Sequence, residues 1–360
     1  MDYLNQLFTE LIRKNKLLEE IQKFYQQYKQ YIDVSAYNEY AFRLACSNGH
    51  LELAKWLYEI KPTIDVSAKN EDPFRSACKN EHLQLAKWLY EIKPTIDVSA
   101  ENEEAFRSAC YKGHLKFAKW LYQIKPTIDV SAENEGAFIN ACFRGHFQIA
   151  KWLYQIKPTI NISTDNESPF IDACYKGHLE VAKWLYKIKP IDVSAKNESA
   201  FRYACYNGHL EVAKWLYEIK PTINISAENE EAFCWACHDG HLEVAKWLYE
   251  IKPSIFISSK NGSAFRQACY NGRLEVAKWL YEIKPTIVIS PPINKEAFRE
   301  ACYNGHFEVA KWLYEIKPTI VVSAENEDAF PEACMLGNLE LAKWLQTLMP
   351  YGLYYTFQVG

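Results

Sequence analysis

The sequence predicts an all-α fold of stacked repeats, each a helix, a turn, a second helix and a short extended finger. One stretch, residues 200–217 (AFRYACYNGHLEVAKWLY), recurs with small changes along the 360-residue chain. Its Ala-Cys pair returns every 32 residues, with one interval of 31 and one of 33. Within each copy the apolar residues follow helical spacing. A fixed period of this length is typical of repeat proteins, so we predict one array in which each copy contacts only its neighbours.

We number the repeats 1 to 10 by the cysteines of these Ala-Cys pairs, which are in order Cys46, Cys78, Cys110, Cys142, Cys174, Cys205, Cys237, Cys269, Cys302 and Cys334. Stacked helices lie about 8–10 Å apart, whereas disulfides need Cα atoms within about 7 Å. We therefore predict small buried thiols in a reducing compartment.

Charge and hydropathy limit the partners. The net charge is −4, which is small for this length and argues against nucleic acid or membrane held by bulk electrostatics. The N-terminus lacks a basic region followed by an apolar run, and no apolar segment is long enough to cross a bilayer. A cytoplasmic location is the expectation.

The two ends of the chain depart from the repeat. Residues 1–40 form a degenerate copy with Glu10 and Lys14 at positions that are apolar in later copies. Polar residues there suit a face with no neighbour, so we predict an N-terminal capping unit. Regular repeats are predicted over 41–334, and a C-terminal capping unit with an aromatic tail over 329–360.

The first helix of a repeat is predicted to begin near Asn102 in repeat 3, because asparagine is a good N-cap. Phe106, Ala109 and Cys110 follow at helical spacing and form one buried stripe. Gly113 should end the helix in a left-handed conformation. Glu81 replaces that glycine in repeat 2, where we expect strain or a reshaped turn.

The second helix, 178–188 in repeat 5, carries Val181, Ala182, Trp184 and Leu185 over more than one narrow stripe. This pattern indicates a helix packed between two neighbours. The following finger, such as 95–100, alternates apolar and polar residues like a short extended arm. The insertion at 290–294 is assigned to such a finger, because loops tolerate insertions.

The run Gly177–Leu185 (GHLEVAKWL) and the finger motif Ile-Asp-Val-Ser-Ala resemble the ankyrin repeat, over about residues 9–350. The Ala-Phe-Arg-x-Ala-Cys and Ala-Lys-Trp-Leu variants are most similar to ankyrin-repeat proteins of giant DNA viruses of amoebae. The family's usual Thr-Pro-Leu-His is here Glu104–Arg107, so its turn-tightening hydrogen bonds are missing. The resemblance implies a monomeric protein-binding scaffold without catalysis or cofactor, in the host cytoplasm if the protein is viral.

Two groups of polar residues suggest possible chemistry. The histidines of the Gly-His turn recur regularly and are interpreted as structural, with hydrogen bonds at the start of the second helix. Cys234, Cys237, His238 and His241 have a spacing found in haem or zinc sites. The competing structural interpretation is stronger, because Cys237 and His241 are ordinary repeat residues and Gly240 should break the helix between them.

The residues just before the Gly-His turn vary between repeats, and the resemblance implies that they face a partner-binding concave groove. Together with a second variable position, the candidates are Tyr111, Lys112, Phe143, Arg144, Tyr175, Lys176, Tyr203, Tyr206, Trp235, Tyr270 and Tyr303. Lys112, Arg144 and Lys176 form a predicted basic strip, so the hypothesis is a groove for an acidic protein segment. The alternative is that these tyrosines are packed on the next repeat, and that Tyr203 and Trp235 are half-buried between helices.

Other interpretations stay open. The late fingers carry Phe256, Val288 and Val321 where earlier ones are polar, and they form either a second contact patch or a dock for the tail at 351–360. An adaptor that recruits host ubiquitin machinery, a self-assembling structural protein, or an enzyme with a convergent site on the groove are the rival functions.

Overall fold

A computed structural model describes residues 2–255, 263–286, 291–318, 333 and 335–348. In these residues every regular element is an α-helix. The chain divides into two compact units, Met1–Thr164 and Asp165–Gly360, called here the N-terminal and C-terminal units. The predicted all-α repeat fold is confirmed.

The helices of the N-terminal unit are α1 (Asp2–Arg13), α2 (Leu18–Tyr28), α3 (Ala36–Ser47), α4 (Leu51–Ile60), α5 (Ala68–Lys79), α6 (Leu83–Ile92), α7 (Ala100–Lys112), α8 (Leu115–Ile124), α9 (Ala132–Phe143) and α10 (Phe147–Ile156). Those of the C-terminal unit, which begins within the first of them, are α11 (Thr164–Tyr175), α12 (Leu179–Ile188), α13 (Ala195–Tyr206), α14 (Leu210–Ile219), α15 (Ala227–Asp239), α16 (Leu242–Ile251), α17 (Ser263–Tyr270), α18 (Leu274–Ile283), α19 (Pro291–Tyr303), α20 (Phe307–Ile316) and α21 (Leu339–Leu348).

First helices pack on first helices. Helices α3, α5, α7 and α9 lie against one another in order in the N-terminal unit, as α13, α15, α17 and α19 do in the C-terminal unit. Their contact faces are the predicted stripe: Phe106, Ala109 and Cys110 are fully buried. Burial raises the pKa of the Cys110 thiol, so this cysteine is an inert core residue. Cys334 lies outside the described residues.

The tryptophans of the second helices join successive repeats. Val181, Ala182 and Leu185 are buried in α12 as predicted, whereas the tryptophan of this motif is half-buried and reaches back to the preceding repeat. The Trp215 ring lies 6.2 Å from Phe170 and 5.9 Å from Tyr186, the latter edge-on. Such edge-to-face pairs add about 0.5–1.5 kcal/mol to the burial of their surface.

The start of the first helix differs from the prediction. In repeat 3, Glu101, Asn102 and Glu103 are three consecutive left-handed residues with φ of 55°, 55° and 61°, and repeats 1 to 7 share this feature. Asn102 therefore does not cap a helix. Its carbonyl instead accepts the Nε–H of Arg107 at 2.7 Å. The N-cap prediction was wrong because contacts made later in the repeat fix this backbone.

A buried glutamate holds the left-handed segment to the next repeat. The Glu103 side chain is only 7% exposed, and its Oε1 accepts the backbone N–H of Asp129 at 3.2 Å. Left-handed residues other than glycine cost about 1–2 kcal/mol each. The hydrogen bonds to Glu103 and Arg107 offset part of that cost.

The fingers are turns, not extended arms. Ile96 and Val98 are buried and Asp97 is exposed, so the predicted alternation is correct. However, Asp97 Oδ1 accepts the backbone N–H of Ser99 at 3.0 Å, which closes an Asx-turn. Residues 291–294 of the insertion were also assigned wrongly to a finger, because α19 begins at Pro291, whereas Ser290 lies outside the described residues. Phe256, Val288, Val321 and the tail at 351–360 lie outside the described residues.

The glycine of the Gly-His turn has the predicted left-handed conformation, with φ of 89° at Gly113. Glu81 adopts φ 67° at the equivalent position, so the expected strain is present but the turn keeps its shape. His82 N–H still bonds the Ala77 carbonyl at 2.9 Å. The Glu81 carboxylate lies 2.9 Å from His114 Nδ1, a contact that a glycine at this position could not make.

The turn histidines join repeats rather than capping their own helices. Nε2 of His82, His146 and His209 lies 3.0–3.1 Å from the carbonyl oxygens of Ser47, Tyr111 and Tyr175 in the preceding repeats. No side-chain cap bond forms at the starts of the second helices α6, α10 and α14. The structural role was predicted correctly, but its partner was not.

These histidines predict acid sensitivity. Burial lowers the pKa of His146 and of His209. A histidine with a lowered folded-state pKa stabilises the fold fully above its unfolded pKa of about 6.5, and that contribution is lost as pH falls below it. We expect the denaturation midpoint to drop between about pH 7.5 and about pH 5.5. His209→Asn introduces the residue that repeat 10 has at this position, Asn338, and should reduce the pH dependence. An equal drop in this variant would contradict the assignment.

The N-terminal helices α1 and α2 bury Phe8, Ile12 and Ile21. Glu10 is part-exposed and pairs with Arg13 and Lys14. Its position agrees with a polar outer face, and the capping role stays a prediction.

Candidate protein-binding surface

The predicted partner-binding residues lie at the C-terminal ends of the first helices, within five residues of the glycine that ends each helix. The cations Lys112, Arg144 and Lys176 are exposed. The half-buried rings are Tyr111, Phe143, Tyr175, Tyr206 and Trp235, and the exposed ones are Tyr203, Tyr270 and Tyr303, at 39%, 44% and 50%. The structure thus contains both predicted possibilities, with some rings facing solvent and others part-packed.

In the N-terminal unit a guanidinium lies on a ring. The Arg144 Cζ is 4.2 Å from the centre of the Tyr111 ring and 5.9 Å from that of Phe143. Over the part of the chain that the structure describes, neither Arg144 nor Lys112 has a carboxylate within ion-pair distance. The Tyr111 carbonyl is held by His146 at 3.0 Å. This surface therefore presents uncompensated positive charge on a fixed backbone.

Lys176 belongs to the C-terminal unit. Its Nζ lies 4.6 Å from the centre of the ring of Tyr175, the preceding residue. The predicted basic strip thus has Lys112 and Arg144 in one compact unit and Lys176 in the other, and its continuity stays a prediction.

The C-terminal unit contains an aromatic pocket, formed by Tyr175, Tyr203, Tyr206 and Trp235 together with Arg202 and Glu231, with a volume of about 180 Å³. Tyr175 and Tyr203 meet edge-on with ring centres 5.8 Å apart, and Tyr206 and Trp235 do so at 5.1 Å. Both residues of the second variable position, Tyr203 and Trp235, therefore contribute to one aromatic surface.

The charges at the aromatic pocket are satisfied internally. Glu231 accepts the indole N–H of Trp235 at 3.1 Å and pairs with Arg202. The Arg202 guanidinium also lies 5.7 Å from the centre of the Tyr203 ring. The pocket consequently combines apolar walls with a charge pair that sums to zero.

Sequence reasoning missed a set of ion pairs between first helices. Arg43 pairs with Asp72 at 2.9 Å and Arg266 with Glu296 at 2.8 Å. The same pairing joins Arg75 to Glu104 and Arg202 to Glu231. In each pair the arginine lies three residues before the repeat cysteine and the acid six residues before the next one. Comparing those two positions across repeats would have revealed the pairs.

The four residues of the metal hypothesis do not converge. Cys237 is fully buried in the core, and Gly240, with φ 86°, ends α15 before His241. His238 Nδ1 contacts Asp239 at 2.7 Å. In the described residues no group of three or more histidine, cysteine, aspartate or glutamate side chains is placed to hold a metal ion.

The fold and the candidate residues define a class of protein: a helical repeat with a constant frame and with variable residues near the ends of its first helices. The family described as "Ankyrin repeats (3 copies)" matches residues 42–134, 106–197, 138–229 and 201–290. The chain belongs to the ankyrin-repeat family, whose members generally bind other proteins and are typically non-catalytic.

A search of curated proteins found no match, so the similarity to giant-virus proteins stays a prediction. None of the helices that the structure describes is long and apolar enough to cross a membrane.

Proposed function

We propose that the N-terminal unit binds an acidic segment of a partner protein at Tyr111, Lys112, Phe143 and Arg144. The observation that carries this proposal is a pair of exposed cations, Lys112 and Arg144, next to aromatic rings. In the described part of the chain, neither cation has a carboxylate at ion-pair distance. Four arginines of other first helices, Arg43, Arg75, Arg202 and Arg266, are paired with acids of the next repeat. A partner carboxylate would supply the missing charge.

Stacking favours recognition by Arg144. A guanidinium held over a ring keeps its planar fork exposed to solvent, and that fork matches a carboxylate in two parallel hydrogen bonds. The Tyr111 ring, 4.2 Å away, restricts the arginine before binding. Less side-chain freedom is then lost when the partner arrives. The rings of Tyr111 and Phe143 add apolar contact area of the kind enriched at interfaces.

The aromatic pocket of the C-terminal unit suits one large apolar side chain of a partner. Its volume of about 180 Å³ is below the roughly 300–1,000 Å³ of small-molecule sites. Because Arg202 and Glu231 neutralise each other, a charged group would gain little there. A single apolar anchor in such a pocket often dominates the energy of an interface.

Selection from a random peptide library displayed on phage tests the proposal without a known partner. The full chain should enrich peptides with aspartate or glutamate and with a large apolar residue. Arg144→Glu should remove the acidic enrichment and weaken a selected peptide at least about tenfold, since hydrogen bonds to charged groups contribute about 1.5–3 kcal/mol. Tyr203→Ala should reduce only the apolar enrichment.

Lys116→Glu is the matched control for Arg144→Glu. It makes the same charge change at an exposed position of the second helix α8, and it should leave the selected peptides bound. Acidic enrichment that persists in Arg144→Glu would reject the proposed surface. No described feature favours an adaptor for ubiquitin machinery, a self-assembling protein or an enzyme, so the proposal is limited to binding.

A further inference from the structure

The arginine three residues before the repeat cysteine follows a rule that covers almost the whole chain. Where a repeat has this arginine, the next repeat has an acid six residues before its cysteine. The pairs by sequence are Arg43 with Asp72, Arg75 with Glu104, Arg202 with Glu231, Arg266 with Glu296 and Arg299 with Asp328.

Where the arginine is absent, the acid is absent too. The corresponding pairs by sequence are Ile139 with Ser168, Ile171 with Ser199 and Cys234 with Ser263. The two positions therefore change together within this one chain, as expected for groups that neutralise each other.

Arg107 is the exception, because the next repeat has Gly136 in place of the acid. The guanidinium is otherwise held as in the other repeats. Its Nε–H donates to the Asn102 carbonyl at 2.7 Å, and an Nη2–H donates to the Glu101 carbonyl at 3.3 Å. Arg75 makes the same two contacts within its own repeat, and its Nη1 then pairs with Glu104.

The Nη1 of Arg107 is thus positioned for a carboxylate that the next repeat does not provide. Within the described ranges no carboxylate lies at ion-pair distance from Arg107. Glu133, which lines the same cavity as Arg107, accepts a hydrogen bond from Asn102 at 2.6 Å instead. Arg107 also borders an open cavity of about 720 Å³, so the guanidinium is accessible.

The unmatched arginine adjoins the proposed surface. Tyr111 lies four residues after Arg107 on α7, which places both side chains on one face about one turn apart. Arg144, the residue that follows α9, covers the Tyr111 ring. Arg107 and Arg144, which have no carboxylate at ion-pair distance among the described residues, thus lie respectively one helical turn before Tyr111 and over its ring.

We propose that a carboxylate of the partner segment binds Nη1 of Arg107, in the place that Asp72, Glu104, Glu231 and Glu296 occupy beside their own arginines. This inference rests on the proposed function and adds a specific recognition residue to it. A carboxylate is favoured over other anions, because a carboxylate fills the equivalent position in the other repeats.

Substitutions at Gly136 test the missing acid directly. Gly136→Glu restores the acid that other repeats have, and its carboxylate should pair with Nη1 of Arg107 in place of the partner's carboxylate. Gly136→Ala is its matched control: a Cβ there would meet Glu133 Cβ at 3.4 Å and Arg107 Cδ at 3.7 Å, which are ordinary contacts. Gln148→Glu adds the same charge at an exposed position of α10 and controls for long-range repulsion.

The probe is an end-blocked diglutamate peptide titrated into the full chain, observed through the guanidinium NMR signal of Arg107. The signal should shift in the wild type, in Gly136→Ala and in Gln148→Glu, and stay in place in Gly136→Glu. Arg75, already paired, should not shift in any of them. Peptides selected by the wild type should bind Gly136→Glu about tenfold more weakly than Gly136→Ala, or about 1.4 kcal/mol.

The inference is overturned if the Arg107 signal does not move in the wild type, or if Gly136→Glu binds selected peptides as tightly as Gly136→Ala. Failure of the proposed function looks different. In that case Arg144→Glu retains the selected peptides, whatever Gly136→Glu does.

Discussion

Replacing Phe201 with alanine is expected to lower the free energy of unfolding by about 3–5 kcal/mol, the range for truncating a buried phenylalanine. The ring is fully buried in α13 and lies 6.1 Å from Trp247 of the next repeat. Truncation therefore opens a cavity and also removes an aromatic contact between repeats. Because repeat arrays can unfold in parts, the measurement is hydrogen exchange of α13 and α14 together with the denaturant midpoint.

Tyr203→Ala is the control for this substitution. It removes a ring of similar size from the same helix, but this ring is 39% exposed. The expected loss is below about 1 kcal/mol, since substitutions at exposed positions have small effects. Equal losses in the two variants would show that the ring at Phe201 is not a core element.

Replacing Gly208 with alanine is expected to cost about 2–5 kcal/mol, from two separate effects. The residue has φ 76°, and a left-handed alanine costs about 1–2 kcal/mol. A Cβ would also lie 2.5 Å from Nδ1 of His241, and such overpacking costs about 1–3 kcal/mol. The histidine must move, which weakens its hydrogen bond to the preceding repeat.

Gly337→Ala separates the two effects. Gly337 has a similar φ of 75°, but no atom of the described residues lies within 4 Å of an added Cβ. This variant should lose only the conformational part, about 1–2 kcal/mol. If local hydrogen exchange shows the same loss of stability for both substitutions, the steric contact with His241 contributes nothing to the cost of Gly208→Ala. Repeat 2 shows how a side chain at this position can be accommodated. There Glu81 replaces the glycine, and His114 contacts its carboxylate instead of a backbone carbonyl.

The parts of the fold that depend on one repeat could be predicted from the sequence. The stripe of Phe106, Ala109 and Cys110 and the left-handed Gly113 follow from helical spacing and from backbone sterics alone. The left-handed segment at Asn102 could not be predicted this way. Asparagine suits both an N-cap and a left-handed residue, and the choice is made by Arg107, five residues later.

The candidate site was predicted as a set of positions but not as an arrangement. Variability between repeats located Tyr111 and Arg144, but the stacking of one on the other involves the fold of two repeats. Contacts between repeats span about thirty residues, as from Arg75 to Glu104, and helical periodicity carries no information on them. Arg107 was missed for that reason, since its meaning depends on Gly136 in the following repeat.

The hydrogen bond from His82, His146 or His209 to the preceding repeat ends on a main-chain oxygen. Ser47, Tyr111 and Tyr175 accept it equally, and Arg273 reaches His238 O in the same way at 3.2 Å. An acceptor that every amino acid possesses makes no demand on the side chain above it. The residues that contact a partner can therefore be substituted one at a time in this chain, by natural mutation or by design, without loss of the fold that presents them.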